Sequence, residues 1–351
     1  MERLEHFVWM CTRAEDSRYA YSLGDGKASP EELNSDEARR LLSMAADFGV
    51  RVCFITGGEP FLRKDILDLI EYASALGLNL YLKTNGRAIS DKKEIANTLA
   101  TYNCQVIISI AGLEEVDRLL RGEGAYQHSI NAASACSEQG ILCSLSVVNT
   151  KYVVGQIQEL VSLAMELGSE GFSLASLIPQ PICTEEQRAK LVPLEPSPGQ
   201  HERELNEIYL LSKQLEGKIK LLPYDIFYNR ILTTREPSLS LKSRCSVCNN
   251  LVENEWLEVQ DDGKAYGCSP LGLMFGDVRQ DSIDVILARM RDSELLKRLA
   301  DRGNLKGKCG ACEFKAICGG CRARAYICSG DMFAEDPYCP YKPRGYTQKS
   351  G

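Results

Sequence analysis

Short apolar runs alternate along the first two thirds of the chain with longer segments whose apolar positions recur at helical spacing. HFVWMCTR (6–13) reads as a first strand, and the polar stretch AEDSRYAYSLGDGKASPEELN follows as a loop. Ser35 is expected to cap a helix with Asp36 and Glu37 in its first turn and Leu41, Leu42, Ala45, Ala46 and Phe48 on its apolar face. RVCFIT (51–56) is a β-branched, aromatic strand broken by Gly57-Gly58-Glu59-Pro60. Asp65 is expected to cap the next helix, which carries Ile66, Leu69, Ile70, Ala73 and Leu76.

The alternation then repeats. Strands are expected at 78–84, 104–110, 141–148 and 171–178, with helices at 90–102 (capped by Ser90), 126–139, 153–167 and 199–216. Six strand-then-helix units with strands this apolar predict a parallel sheet buried on both faces. Six are too few for a closed eight-fold barrel, which leaves an open partial barrel or a doubly wound sheet. After about residue 222 the sequence becomes irregular and rich in cysteine, with one clear helix at 281–302. The expected organisation is therefore an α/β domain over 1–222 and a small cysteine-rich domain over 223–351.

The cysteines add chemistry to that outline. Cys309, Cys312, Cys318, Cys321, Cys328 and Cys339 crowd one stretch, and Cys245, Cys248 and Cys268 precede it. Gly310, Gly319 and Gly320 supply turns through which thiolates can converge. Soft thiolate sets of this density select zinc or iron–sulfur centres. Zinc ribbons usually separate their pairs by roughly 15–20 residues, whereas only the short segment 313–317 separates Cys312 from Cys318, which favours iron–sulfur. Lys306, Lys308, Lys315, Arg322 and Arg324 surround the array; they offset cluster charge or dock an anionic substrate or redox partner. Cys53, Cys104, Cys136, Cys143 and Cys183 lie in or beside apolar segments and read as core residues. His6, His128 and His201 share no motif spacing and read as structural or surface groups.

Bulk properties narrow the class further. Of 351 residues, 44% are hydrophobic and 25% charged, as in an ordinary globular protein. The formal net charge of −7 argues against a nucleic-acid binder that works by phosphate neutralisation. No run approaches the roughly 18 apolar residues of a membrane span, and the charged start MERLEHFVWMCTR lacks a signal peptide's apolar core. A cytoplasmic location follows as the expectation. Disulfides are rare there, so 15 cysteines point to metal.

Gly57-Gly58-Glu59-Pro60, placed directly after the second strand, resembles the GGEP element of radical S-adenosylmethionine (SAM) enzymes. The elements Cys248…Gly263-x4-Cys268, Cys309-x2-Cys312-x5-Cys318 and CGGCRARAY…DPYC resemble the SPASM extension found in part of that superfamily. Arg121-Gly122, Asn149 and the SLIP segment near 176–179 fall where such proteins carry similar residues. The resemblance implies a partial (β/α)6 TIM-like barrel followed by an auxiliary iron–sulfur domain. It also implies two auxiliary [4Fe–4S] clusters, one on Cys245, Cys248, Cys268 and Cys321 and one on Cys309, Cys312, Cys318 and Cys339, with Cys328 spare. Gly57, Gly58, Glu59 and Pro60 would meet SAM if it binds.

The sequence departs from the family at one place. Where CxxxCxxC holds the SAM-cleaving cluster, this chain carries Glu15, Tyr19 and Ser22. These hard oxygen donors are poorly matched to such a cluster. Cys11 precedes the loop and does not replace them, and Ser109-Ile-Ala111-Gly112 lacks the acidic residue often found before that glycine. The expectation is a pseudoenzyme-like protein in which radical initiation is lost, SAM binding is weakened and GGEP survives as a tight turn. It would serve as an electron-transfer or substrate-presenting component beside a redox partner or an active radical SAM relative. Two alternatives stand: an active maturase that modifies a peptide, tetrapyrrole or other small molecule, and a zinc-stabilised binding protein.

Overall fold

A computed structural model describes residues 4, 6–17, 26–178, 191–238 and 256–346. Its centre is one sheet in which seven parallel strands pair in chain order: β1 (His6–Thr12), β2 (Val52–Gly57), β3 (Asn79–Thr84), β4 (Gln105–Ile110), β5 (Leu142–Asn149), β6 (Gly171–Ser176) and β7 (Lys220–Tyr224). Helices α1 (Ser35–Phe48), α2 (Ile66–Ala75), α3 (Arg87–Asp91), α4 (Glu94–Thr101), α5 (Glu114–Arg121), α6 (Ala125–Glu138), α7 (Ile157–Glu166) and α8 (Pro198–Gln214) connect them. Parallel strands require such crossovers, and the sheet stays open because β7 does not return to β1. The fold is the expected partial barrel, extended by a seventh strand, and Leu222 lies inside that strand.

The strands alternate more than their apolar sequences suggest. Phe7, Trp9, Cys53, Ile55, Leu80, Leu82, Val106 and Ile108 are fully buried in one core with Leu41, Leu42, Leu69 and Ile70 of the helices. Between them His6, Phe54, Tyr81 and Lys83 are only half-buried. They face the concave side of the sheet, where Phe54 stacks on Tyr81 with centroids 5.0 Å apart. That alternation holds for β1 to β4, whereas β5 and β6 are buried on both faces, Ser144, Ser146 and Ser173 included, as the apolar runs predict.

Several boundaries are set by side chains that periodicity does not weigh. Asn34, not Ser35, caps α1: its side chain accepts from Asp36 N and Glu37 N, and Glu37 answers as a capping box. Ser35 Oγ instead donates to Asp65 Oδ2 at 2.6 Å, and Asp65 stands before α2 without capping it. The helix expected at 90–102 is two, with Ser90 inside α3 and Lys93 leading α4.

The C-terminal segment continues the same sheet. β8 (Trp256–Val259) runs parallel to β1 on its other edge, and β9 (Lys264–Tyr266) and β10 (Met274–Asp277) follow antiparallel. Arg13 clamps Asp261 through two 2.7 Å bonds, which ties the loop after β1 to the β8–β9 turn. The helix expected at 281–302 breaks at Ser293, whose Oγ accepts from Leu296 N, into α10 (Ile283–Asp292) and α11 (Glu294–Ala300). α9 (Phe227–Arg235) leads from β7 toward this region, and α12 (Gly307–Ala311) and α13 (Arg322–Ser329) carry its cysteines.

Candidate functional site

Two places hold the residues singled out in the sequence. The first is the C-terminal rim of β1 to β3. Here the backbone of Gly57–Glu59 lies directly against the loop that leaves β1: Gly58 N donates to Thr12 O at 2.8 Å and Glu59 N to Ala14 O at 2.7 Å. A Cβ on Gly57 would stand 2.2 Å from Thr12 O, and one on Gly58 2.0 Å from Ala14 O. Gly57 also takes φ 140. Only glycine permits this approach. Pro60 then opens a short 3-10 turn with its fixed φ.

Glu59 is 2% exposed and fully engaged. Its carboxylate accepts from Thr84 Oγ1 at 2.8 and 2.9 Å, Asn85 N at 2.8 Å and Phe61 N at 3.1 Å. Burial pushes its pKa up to about 7, against the pull of those hydrogen bonds.

Glu15 occupies the first ligand position of the degenerate motif. Its N–H donates to Gly26 O at 3.2 Å, and its Oε1 accepts from Ser17 N at 3.4 Å. Burial raises its pKa to about 7 as well. Asn85 Nδ2 donates to Asp16 Oδ1 at 2.7 Å and Ser17 Oγ at 3.1 Å, which pins the loop to the end of β3. Beside it Asp16, Ser17, Asn85, Arg87, Arg121, Glu123, Ala125 and His128 line a polar cavity of about 120 Å³. Arg121 is spent within the protein: Nη2 lies 2.6 Å from Asp117 Oδ2 and Nη1 donates to Ser109 O at 3.0 Å. Tyr19 and Ser22 lie outside the described residues. Cys11 is fully buried within β1, its thiol pushed far up by burial. A carboxylate is a poorly matched donor for an iron–sulfur cluster, so Glu15, the one of the three positions among the described residues, does not fit as a ligand of the SAM-cleaving centre.

The second place is the cysteine-rich region. Cys309, Cys312, Cys318 and Cys339 line one cavity together with Phe227, Arg230, Lys308, Gly319, Gly320 and Tyr341. All four are free thiols. Burial raises the pKa of each, with Cys339 pushed up to about 11 against the pull of Arg230 and Lys308. They surround a space rather than a point: among the described residues no three His, Cys, Asp or Glu side chains are placed to hold a single metal ion. Gly320 adopts φ 70, and a Cβ there would stand 2.7 Å from Asp336 Cβ and 3.2 Å from Cys309 Sγ. Asp336 N donates to Cys309 Sγ at 3.3 Å, an N–H···S bond of the kind that supports thiolate ligands. Donor type and enclosure fit a four-thiolate iron–sulfur cluster.

The other four expected ligands are seen in part. Cys245 and Cys248 lie outside the described residues. Cys321 caps α13, its Sγ accepting from Arg324 N at 3.5 Å. Cys268 leads the short turn Ser269–Leu271, and α13 packs on that turn. Cys328 is exposed on α13 and does not line the cavity.

Between the two places lies a buried polar network with no motif to announce it. His201, read from sequence as structural or surface, is 3% exposed in α8. Its Nε2 meets Asp225 Oδ2 at 2.9 Å and its Nδ1 meets Asn149 Nδ2 at 3.0 Å. Asp225 also accepts from Ser176 Oγ and, at 3.4 Å, from Arg324 Nη2 of α13. Burial alone would raise the pKa of Asp225, but His201, Arg324 and Ser176 hold it well below the usual carboxylate range. Arg324 stacks over Phe227 at 5.3 Å and Tyr338 at 5.0 Å. The ends of β5, β6 and β7 are thus wired to the helix that Cys321 caps.

An open β/α barrel with a glycine-hinged turn after its second strand and a thiol-lined cavity beyond its last defines a class before any comparison. The Radical SAM superfamily model matches residues 9–164. An AdoMet-dependent heme synthase of Methanosarcina barkeri is 29% identical over 324 residues, covering 89% of this chain and 88% of that protein. A PqqA peptide cyclase of Bradyrhizobium diazoefficiens is 27% identical over 324 residues, covering 90% and 80%. The crystal structure of Streptococcus suis SuiB bound to S-adenosylmethionine superposes with a TM-score of 0.73 at 21% identity, covering 97% of this chain and 78% of that one. Residues 9–164 of the chain form a domain of the radical SAM superfamily. That membership implies [4Fe–4S] and SAM chemistry, and on weakened SAM binding the comparisons lean the other way. Among the described residues no helix is long and apolar enough to cross a membrane.

Proposed function

We propose that this protein keeps the radical SAM fold without radical initiation and acts through iron–sulfur clusters of its C-terminal region, as an electron-transfer or substrate-presenting component. One observation carries the reading: four free cysteines line a single cavity, while Glu15 stands in a hydrogen-bonded loop where the initiating cluster needs a thiolate. Cys309, Cys312, Cys318 and Cys339 would hold one [4Fe–4S] cluster, and Cys268 and Cys321, with Cys245 and Cys248, a second. Such clusters exchange single electrons at potentials set by burial and nearby charge. Gly57 and Gly58 serve the docking of the Thr12–Ala14 backbone, and Glu59 serves the ends of β2 and β3.

A second reading is favoured by the comparisons. Full-length likeness to AdoMet-dependent heme synthases and a peptide cyclase supports an active SAM-dependent maturase whose substrate is a tetrapyrrole or a peptide. Iron and sulfide counts after anaerobic reconstitution separate the two. The first reading requires about eight irons per chain and the second about twelve. A count that stays at eight when Glu15, Tyr19 and Ser22 are left as they are, and rises to twelve when all three become cysteine, supports the first. Twelve irons in the natural sequence overturns it.

A further inference from the structure

Arg230 reaches the cysteine cavity from the barrel side. It sits in the middle of α9, and the neighbouring Asn229 fixes that helix to the cysteine region by donating to Ile317 O at 3.1 Å. The Arg230 side chain is 8% exposed and lines the cavity with the four thiols. Its Nη2 pairs with Glu202 of α8, and its guanidinium carbon lies 4.8 Å from the ring centroid of Tyr341. Its Nε–H is buried and has no acceptor among the described residues. Arginine cannot shed that proton to relieve the mismatch. Lys308 is the other cation lining the cavity, and its Nζ is engaged with Cys339 O at 2.7 Å.

We propose that Arg230 Nε–H donates to a sulfur of the cluster held by Cys309, Cys312, Cys318 and Cys339, and that its charge sets the reduction potential of that cluster, with Glu202 as the brake. This rests on the cluster assignment proposed above. The step it tunes is the transfer of one electron from a low-potential one-electron carrier to the cluster. No bond breaks and no proton moves; the cluster gains one negative charge, and Arg230 stays cationic throughout. A fixed cation in a buried site favours the more negative, reduced form.

The test is an EPR-monitored redox titration of the full-length reconstituted protein, with the relevant signal identified by its loss in Cys312→Ser. Arg230→Gln is expected to retain iron and to make reduction at least tenfold less favourable, about 59 mV for one electron. Glu202→Gln leaves Arg230 in place and releases its charge, so it is expected to shift the potential in the opposite direction. Arg230→Lys keeps the charge without the Nε donor and is expected to fall between Arg230→Gln and the natural protein. Shifts of the same sign in Arg230→Gln and Glu202→Gln, as general loosening would give, overturn the proposal, as does an unchanged potential in both. A potential in Arg230→Lys equal to the natural one refutes the Nε bond. Should Arg230→Gln fail to fold, the sign in Glu202→Gln still decides. If the natural protein shows no signal that Cys312→Ser removes, it is the cluster assignment that fails.

Discussion

Gly58→Ala is the sharpest probe of what the GGEP turn does in this chain. Gly58 is not in the left-handed region, so alanine there meets no backbone strain of its own. The difficulty is purely steric: the new Cβ would stand 2.0 Å from Ala14 O and 2.8 Å from Ala14 C, both backbone atoms that cannot rotate away. The loop after β1 must lift, and the bonds from Gly58 N to Thr12 O and Glu59 N to Ala14 O lengthen or break. Each is worth about 1 kcal/mol and overpacking adds about 1–3 kcal/mol, for a loss of about 3–5 kcal/mol. Against a typical domain stability of about 5–15 kcal/mol that is a large fraction. Gly49→Ala is the control: Gly49 adopts φ 92 with nothing within 4 Å, so only backbone strain of about 1 kcal/mol is expected. Urea unfolding followed by circular dichroism measures both. A Gly58→Ala loss below about 1 kcal/mol would refute the structural role and return the turn to ligand binding alone.

Other consequences follow from the same contacts. Cys312→Ser is expected to lower reconstituted iron from about eight to about four per chain, while Cys328→Ser leaves it unchanged, as read by iron and sulfide analysis. Gly320→Ala, which pushes a Cβ toward Asp336 Cβ and Cys309 Sγ, is expected to reduce iron retention during anaerobic gel filtration, with free Cys328 accessibility to a thiol reagent unaltered. Glu15, Glu59, Glu195 and Glu204 each have their pKa raised to about 7, burial being the first cause. The folded chain therefore binds protons that the unfolded chain has released between about pH 4.5 and 7, so stability falls as pH rises through that window. Asp225 is the opposite case, its folded pKa depressed: its contribution is present above the ordinary carboxylate pKa and is lost as the solution is acidified below it. Asp225→Asn is expected to remove that acid limb, and urea midpoints measured from pH 3 to 8 (roughly the practical range) check both signs.

The parts of this fold legible in sequence are those whose cause is local. Each of the first six strands is an apolar run ended by glycine, proline or, for β1 and β5, a polar or charged stretch, and each lies within a residue or two of its expected place. α5 was missed because its buried face is Asp117, Leu120 and Arg121, an ion pair that hydrophobic periodicity cannot register. β7 has no sequence expectation: it is only five residues long and contains Pro223, which the structure accommodates at the sheet edge, where a missing N–H is tolerated. β8 to β10 are only three or four residues long and take their identity from pairing with β1. The density of cysteines is written along the chain, but the grouping of Cys309, Cys312, Cys318 and Cys339, which line one cavity, follows from the family resemblance and not from spacing alone. His201, Arg230 and Asp225 were not legible, since their partners are 24 to 99 positions away or, for Arg230, across the cysteine region. The cap is legible at Asn34 and not Ser35, because Glu37 stands three residues after Asn34 at capping-box spacing while Ala38 stands three after Ser35.

Radical initiation is the point on which the two readings part, and its product is a stable small molecule. The measurement is 5′-deoxyadenosine, by mass spectrometry, from the anaerobically reconstituted protein incubated with SAM and a strong one-electron reductant. Loss of initiation at Glu15, Tyr19 and Ser22 predicts none above a protein-free control, and its appearance in proportion to protein would contradict the proposed function.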